Sequence, residues 1–227
     1  MRLNKYLAQS IGISRREADE YISLGRVQII SGEVARVAIL GAQLLEDETV
    51  LVDGEKVVAS GFVYLAMNKP VGYLSSRRSQ GDVPTLYELL PERFRTLKTV
   101  GRLDRDSSGL ILLTNDGDFA QRMTHPKYSK TKIYEVVLDH DLAPLHQQMI
   151  ADFGIELEDG RSQLGLEVGK NRKYWTVTMR EGRNRQIRRT FSALGYEVKE
   201  LHRTQFGAYQ LGGLKSGEVQ EVPLVTQ

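Results

Sequence analysis

The sequence predicts an α+β protein: a small N-terminal module followed by a larger mixed domain whose sheet is mainly antiparallel. Three observations lead there. Strand-like runs and amphipathic helical stretches alternate irregularly, not as regular strand–helix units. Hairpin turn pairs recur at Asp53-Gly54, Asp159-Gly160 and Glu181-Gly182. A chain of 227 residues with 41% hydrophobic content can bury a substantial core and still carry a small module beside it.

In the first module, Leu3, Tyr6, Leu7, Ser10 and Ile11 fall at helical spacing up to Gly12. Ser14-Arg15-Arg16-Glu17 then has the form of a capping box that opens a second helix, which runs through Ala18, Tyr21 and Ile22 to Gly25. Val27, Ile29 and Val34 read as strand residues around a Ser31-Gly32 turn. Val50 to Val52 and Lys56 to Val58 flank Asp53-Gly54, a strong short-range hairpin signal. This module is taken as residues 1–58, followed by a linker of small residues at 59–62 that includes Ala59-Ser60-Gly61.

The second domain, 63–227, has strand-like segments at Tyr64 to Met67, Leu110 to Thr114, Ile133 to Leu138, Tyr174 to Met179 and Val198 to His202. Between them lie helical stretches: one opened by Thr85 with Glu88 as a capping box, one after Asp118, one near Leu142 to Phe153, and one from Asn184 to Leu194 closed by Gly195. No repeat at a fixed period and no low-complexity tract interrupts them.

Composition excludes several classes of chemistry. With no cysteine there is neither a disulfide framework nor a thiolate metal site, and the four histidines are scattered without zinc-ligand spacing. The N-terminal Met1-Arg2-Leu3-Asn4-Lys5 lacks the apolar core of a signal peptide, and no long uncharged stretch could span a bilayer. A soluble cytoplasmic protein with no membrane partner is expected. The net charge of +2 says little, but the charges are unevenly placed: Arg2, Lys5, Arg15, Arg16 and Arg26 crowd the first module, Glu33 to Glu55 is mostly acidic, and Arg180 to Arg189 is densely basic.

The chemistry centres on Gly101-Arg102-Leu103-Asp104-Arg105-Asp106-Ser107-Ser108-Gly109-Leu110. An acid sits in a glycine-bounded loop directly before a buried-looking strand, and Asn115-Asp116-Gly117 closes that strand with turn chemistry. Arg102 and Arg105 favour an ionised carboxylate, which casts Asp104 as a nucleophile or electrostatic group and not as a proton donor. This run resembles the signature of the RNA pseudouridine synthases, in the branch that acts on ribosomal RNA. The resemblance implies that Asp104, not Asp106, is the essential catalytic acid.

The first module, through Ser14 to Ala18 and Gly25-Arg26-Val27, likewise resembles the S4 RNA-binding domain, which implies RNA contacts from Arg2, Lys5, Arg15, Arg16 and Arg26. Asn68-Lys69-Pro70-Val71-Gly72 looks like the family's first motif and is read as a support for the active-site loop. On the strand-like stretch Lys132 to Val136, alternation places Lys132, Tyr134 and Val136 on one face. Tyrosine on a strand is usually core packing; the resemblance instead aligns Tyr134 with the tyrosine that stacks on the target base. Trp175, beside Tyr174 on a strand, reads as core.

Five arginines fall within the ten residues from Arg180 to Arg189, with Glu181 as the single compensating acid. Such a cluster calls for an anion. The resemblance implies that Arg188 pairs with Asp104 and that Ile187 lines the pocket. Arg183, Arg185 and Arg189, with Arg102, are left as candidates for phosphate contacts.

The family's reaction isomerises uridine to pseudouridine within RNA and needs no metal or cofactor, and none is expected here. The implied substrate is ribosomal RNA, with large-subunit 23S favoured over small-subunit 16S, presented free or in an assembling ribosomal subunit to a monomeric enzyme. Two other readings compete. A non-catalytic, structured-RNA-binding ribosome assembly factor would leave the uridine unchanged, and an N-glycosylase would release free uracil and normally needs a second, paired carboxylate.

Overall fold

The computed structural model describes residues 1–225. The chain divides into two compact units: Met1–Val63 with the short pieces Thr96–Lys98 and Asn115–Gly117, and the remainder from Tyr64 onward.

In the first unit, helices α1 (Leu3–Ser10) and α2 (Arg15–Ser23) precede a four-stranded antiparallel sheet. Its strands are β1 (Val27–Ser31), β2 (Val34–Val37), β3 (Thr49–Val52) and β4 (Glu55–Val57), in the order β2-β1-β3-β4. The Ser14 hydroxyl accepts from the Glu17 amide at 3.0 Å and the Glu17 carboxylate accepts from the Ser14 amide at 3.3 Å, so the capping box forms as its sequence dictates. Asp53 and Gly54 both take positive φ, at 52° and 85°, the geometry a two-residue hairpin between β3 and β4 demands. Leu3, Leu7, Ala18, Ile22, Val27, Ile29 and Val50 bury one face of α1, α2, β1 and β3 in a common core, while all four residues of β2 are exposed.

The second unit is built on strands β5 (Tyr64–Lys69), β6 (Lys98–Val100), β7 (Ser108–Thr114), β8 (Lys132–Leu138), β9 (Ile155–Leu157), β10 (Gly160–Ser162), β11 (Gly165–Val168), β12 (Tyr174–Met179), β13 (Val198–Phe206), β14 (Tyr209–Gln210) and β15 (Val219–Glu221). The main sheet runs β11-β12-β8-β13-β7-β5-β15, with β14 on β13 and β6 on β7. Every pair along the main path is antiparallel except β13 with β7. Leu110 to Leu113 of β7 are buried without alternation because β7 lies inside the sheet with both faces covered. Where β13 runs beside it, a Cβ on Gly109 would come within 2.3 Å of the Arg203 carbonyl oxygen; only glycine fits, and its φ of +103° is one that L side chains rarely adopt.

Helix α3 (Gly117–Thr124) follows β7, α4 (Pro144–Gln148) continues into a single π turn over Met149–Phe153, and α5 (Gln186–Ser192) precedes β13. Three expectations need correcting. The Thr85/Glu88 capping box forms but opens only a 3-10 turn, Leu86–Leu89, because Pro91 follows within two residues and cuts it short. Glu181-Gly182 is not a hairpin: the chain leaves β12 there and enters α5. Helix α5 is also shorter than its periodicity predicts, starting after Arg185 at φ +46°. Trp175 is core, 2% exposed.

Candidate active site

The loop between β6 and β7 carries Asp104, and its backbone is held from beneath by a lysine. Lys69, at the end of β5, is fully buried and its Nζ donates to the carbonyls of Pro70 (3.0 Å), Asp104 (3.1 Å) and Ser107 (2.8 Å). Burial pulls the Lys69 ammonium down to about 8, against the pull of the Asp104 and Asp106 charges. The Ser75 hydroxyl adds a second anchor, donating to the Leu103 carbonyl at 2.8 Å and accepting from the Leu103 amide at 3.2 Å. The Lys-Pro motif thus acts through the loop's main chain. Ser75 carried no signal in the sequence, since a serine in a Leu-Ser-Ser-Arg stretch reads as surface loop.

Three carboxylates face the arginine segment, and they are engaged to different degrees. Asp106 accepts two parallel bonds from Arg185, both 2.9 Å, and lies 3.2 Å from Arg188 Nε; the Arg185 hydrogen bonds hold its carboxyl below the usual range. Asp159 is taken by Arg183 at 2.8 Å and by Arg189 through two bonds of 3.0 and 2.7 Å. The Asp104 carboxylate accepts no hydrogen bond among the described residues and meets one guanidinium, Arg185, at 3.7 Å. Arg185 holds this bridging place from a left-handed backbone conformation that a non-glycine residue seldom adopts.

This corrects the expected partner of Asp104. Arg188 is spent elsewhere, donating to the carbonyls of Val198 at 2.6 Å and Asp106 at 2.7 Å. It ties α5 to β13 and to the acidic loop, while Arg185, one helical turn earlier, takes the ion-pairing position. The register of the basic segment is set by the αL residue at its start, which a one-dimensional motif does not display.

Asp104 lines a cleft of about 310 Å³ whose wall includes Tyr134, Ile187, Leu201 and Phe206, with Lys132 and Arg203 at its polar edge. Tyr134 is 8% exposed on β8 and shares its face with Lys132 and Val136, as the alternation predicts. Lys132 Nζ donates to the Glu181 carbonyl at 2.9 Å, and burial with the nearby Arg203 charge brings it down to about 8. The volume and the mixture of apolar walls with a few convergent charges suit a small planar ligand.

The remaining basic residues separate into engaged and open. Arg183 and Arg189 do not stand open for phosphate, since Asp159 supplies the anion that the cluster requires and Arg183 also donates to the carbonyls of Gly160 and Arg161. Arg102 is exposed at the rim of the cleft and has no ion pair among the described residues. In the first unit, Arg26 is held by Asp53 and lies 3.9 Å from the Tyr21 ring centroid. Arg15 Nη2 donates to Asn4 of α1 at 3.2 Å, which sets it beside the turn carrying Lys5, while Arg2 and Arg16 are exposed. Among the described residues no group of three or more His, Cys, Asp or Glu could hold a metal ion, and no helix is long and apolar enough to cross a membrane.

Residues 63–193 match the family described as RNA pseudouridylate synthase. The chain is 36% identical over 230 residues to a Bacillus subtilis protein named ribosomal large subunit pseudouridine synthase B, covering 97% of this chain and 91% of that protein. It is 35% identical over 232 residues to the Yersinia pestis ribosomal small subunit pseudouridine synthase A, covering 100% and 96%. An Aquifex aeolicus protein named as an uncharacterized RNA pseudouridine synthase is 38% identical over 225 residues, covering 98% and 92%. Among solved structures, one described as a pseudouridylate synthase superposes with a TM-score of 0.69 at 30% identity, covering 98% of this chain and 96% of that one.

Proposed function

Because the chain belongs to the RNA pseudouridylate synthase family, and so is an enzyme that isomerises uridine in RNA, we propose that its substrate is ribosomal RNA and that Asp104 is the reacting carboxylate. The observation that carries the assignment is the contrast among the three acids. Asp106 and Asp159 are saturated by arginine hydrogen bonds, whereas Asp104 opens on the cleft with a single ion contact to keep it aimed. A carboxylate already bound by two guanidiniums makes a poor nucleophile or base; one held by its backbone and left free at its oxygens is preorganised for reaction.

The reaction breaks the N-glycosidic bond, turns the base and rejoins it through C5. The base must first leave its stack, which costs a few kcal/mol. The Tyr134 ring on the cleft wall offers a replacement surface, worth about 1–3 kcal/mol for a stacked base. Asp104 then attacks the sugar or the base, or removes the C2′ proton. Arg185 is the guanidinium that holds the carboxylate in place, and Arg188 braces the loop from behind. The first unit serves as an S4-like RNA-binding domain over residues 1–58, joined by the linker 59–62 to the catalytic domain, with Arg2, Lys5, Arg15 and Arg16 toward RNA. The enzyme acts as a monomer in the cytoplasm, on free RNA or on an assembling ribosomal subunit.

Large-subunit RNA is the first substrate to try. The relatives named for the large and the small subunit stand at 36% and 35% identity, so both RNAs belong in the assay. The test is tritium release from 23S and 16S transcripts labelled at uridine C5, and from precursor particles, by the wild type and Asp104→Ala. Release by the wild type alone, without free uracil, is expected. Free uracil in the products would make the protein a glycosylase, and release undiminished in Asp104→Ala would remove Asp104 from the chemistry.

A further inference from the structure

Arg203 is a charged side chain buried on the wall of the cleft, 3% exposed, with most of its donors unused. Its Nε donates to the Leu110 carbonyl at 2.7 Å, and that is its one hydrogen bond among the described residues. Nη2 is wholly buried without a partner. A buried guanidinium ordinarily satisfies its five donors, because each one left unmade carries a desolvation cost. Ser107 and Arg183 also line the cleft with an unpartnered buried atom. The first is a neutral hydroxyl, and the guanidinium of the second is spent on Asp159 and neighbouring carbonyls. Arg203 is therefore a buried guanidinium of the cleft wall with donors to spare.

Its placement is built into the strand. The register of β13 on β8 shifts between Arg203 and Gln205, a bulge that breaks the alternation. Strict period two from Leu201 and Arg203 would bring Gln205 onto the cleft side; the extra residue brings Phe206 there instead. Arg203 Cζ then lies 4.8 Å from the Phe206 ring centroid and 6.0 Å from that of Tyr134, close to the surface assigned above to the stacked base. Gly109, which admits no side chain, lets the Arg203 backbone press against β7 at the end of the acidic loop.

We propose that Arg203 donates to a carbonyl oxygen of the extruded uracil and stabilises the negative charge that develops on it. This rests on the synthase reading of the Asp104 site. In each course open to Asp104 the base becomes electron-rich. Departure of N1 with the bonding pair leaves a uracil anion whose charge is shared by O2 and O4, and attack at C6 drives the pair onto O4. The charge is discharged when C5 bonds to C1′, C5 gives up its proton to solvent, and N1 takes one up, so the isomerisation has no net proton change. A preorganised cation facing that oxygen stabilises the transition state more than the neutral bound base. Where that oxygen is O4, it also favours uracil over cytosine, which presents an amino group in its place.

The test uses C5-tritiated ribosomal RNA carrying uridine, 2-thiouridine or 4-thiouridine, read as single-turnover release by the wild type, Arg203→Lys and Arg203→Met. Sulfur is a weaker acceptor, so the wild type should slow about ten- to a hundredfold on whichever thio-RNA replaces the oxygen facing Arg203. The variants should be slow on uridine RNA already and lose less than about threefold more on that thio-RNA, because the interaction is gone. The ratio of rates on two RNAs is unaffected by any inactive fraction of a poorly folding variant. Wild type active on uridine RNA but indifferent to both sulfur substitutions, or variants whose thio-ratios equal the wild type's, would overturn the proposal alone. Wild type inert on uridine RNA overturns the synthase reading and this one with it.

Discussion

Asp104 and Asp159 both face arginines of the segment Arg180 to Arg189, and they are held in opposite ways. Asp159 sits at a hairpin tip with its carboxylate bound by Arg183 and Arg189, and its neighbouring carbonyls are taken by Arg183 as well. Asp104 is held by its backbone, through Lys69, while its carboxylate keeps one ion contact at 3.7 Å. In the first case the acid serves the arginines, giving a crowded cationic segment the counter-charge it needs to fold. In the second the scaffold serves the acid. A carboxylate's neighbours in sequence do not distinguish the two; what distinguishes them is whether its oxygens or its main chain make the contacts.

Exchanging each acid for its amide separates the two roles most sharply. Asp104→Asn should lower tritium release by at least about a thousandfold and leave the melting temperature and RNA affinity unchanged, as removal of a reacting group does. Asp159→Asn should do the reverse, keeping turnover within a few fold. The pair is exposed and screened by solvent, so the loss should be small and show as a slightly lower melting temperature. Equal loss of turnover in both variants would end the comparison, because it would make the whole arginine segment one catalytic unit.

Lys69 tests the backbone half of the contrast. Lys69→Met leaves three carbonyls without their donor, offset in part by removal of a desolvated cation. A net loss of about 2–4 kcal/mol follows, with slower turnover as the Asp104 loop loosens. The pH dependence has a definite sign. Lys69 titrates near 8 in the folded protein against an ordinary 10.5 in the unfolded chain. Below pH 8 both states carry the proton and the cost of burying the charge is fully present. Between pH 8 and 10.5 the unfolded chain binds more protons, so the lysine's contribution to stability grows as pH rises. The stability gap between the wild type and Lys69→Met, measured by urea melts from pH 7 to pH 10, should widen above pH 8. A gap that narrows would mean the clamp needs the charged ammonium more than burial penalises it.

Much of this architecture is legible in the residues. The capping box at Ser14, the Asp53-Gly54 turn, the apolar run of β7 and the alternation that puts Tyr134 beside Lys132 are local patterns, and each appears where its spacing places it. What the sequence hides is long-range pairing of charge. The arginine cluster reads as a phosphate groove because Asp106 and Asp159, its internal counter-ions, lie 79 residues from Arg185 and 30 from Arg189. The family resemblance sets Arg188 opposite Asp104, whereas its acceptors here, on Val198 and Asp106, follow from the αL start of α5. Arg203 gave no signal at all, since a strand arginine becomes informative only when the bulge and the burial of its donors are visible.

The smallest expected effect concerns which arginines meet RNA. An arginine that neutralises a phosphate releases counterions, so removing it should reduce the slope of log affinity against log salt by about one. Arg102 is exposed at the cleft and carries no ion pair among the described residues, which leaves its charge available to a polyanion. Arg189 is committed to Asp159 by two bonds, so its charge is already met within the protein. Arg102→Ala should therefore flatten the salt dependence of binding to ribosomal RNA transcripts by about one unit, whereas Arg189→Ala should leave the slope unchanged. Equal slopes for Arg102→Ala and the wild type would show that its charge stays in solvent. A flattened slope for Arg189→Ala would show that phosphate can displace Asp159, turning the structural clamp into part of the binding surface and erasing the division between the two acids on that side.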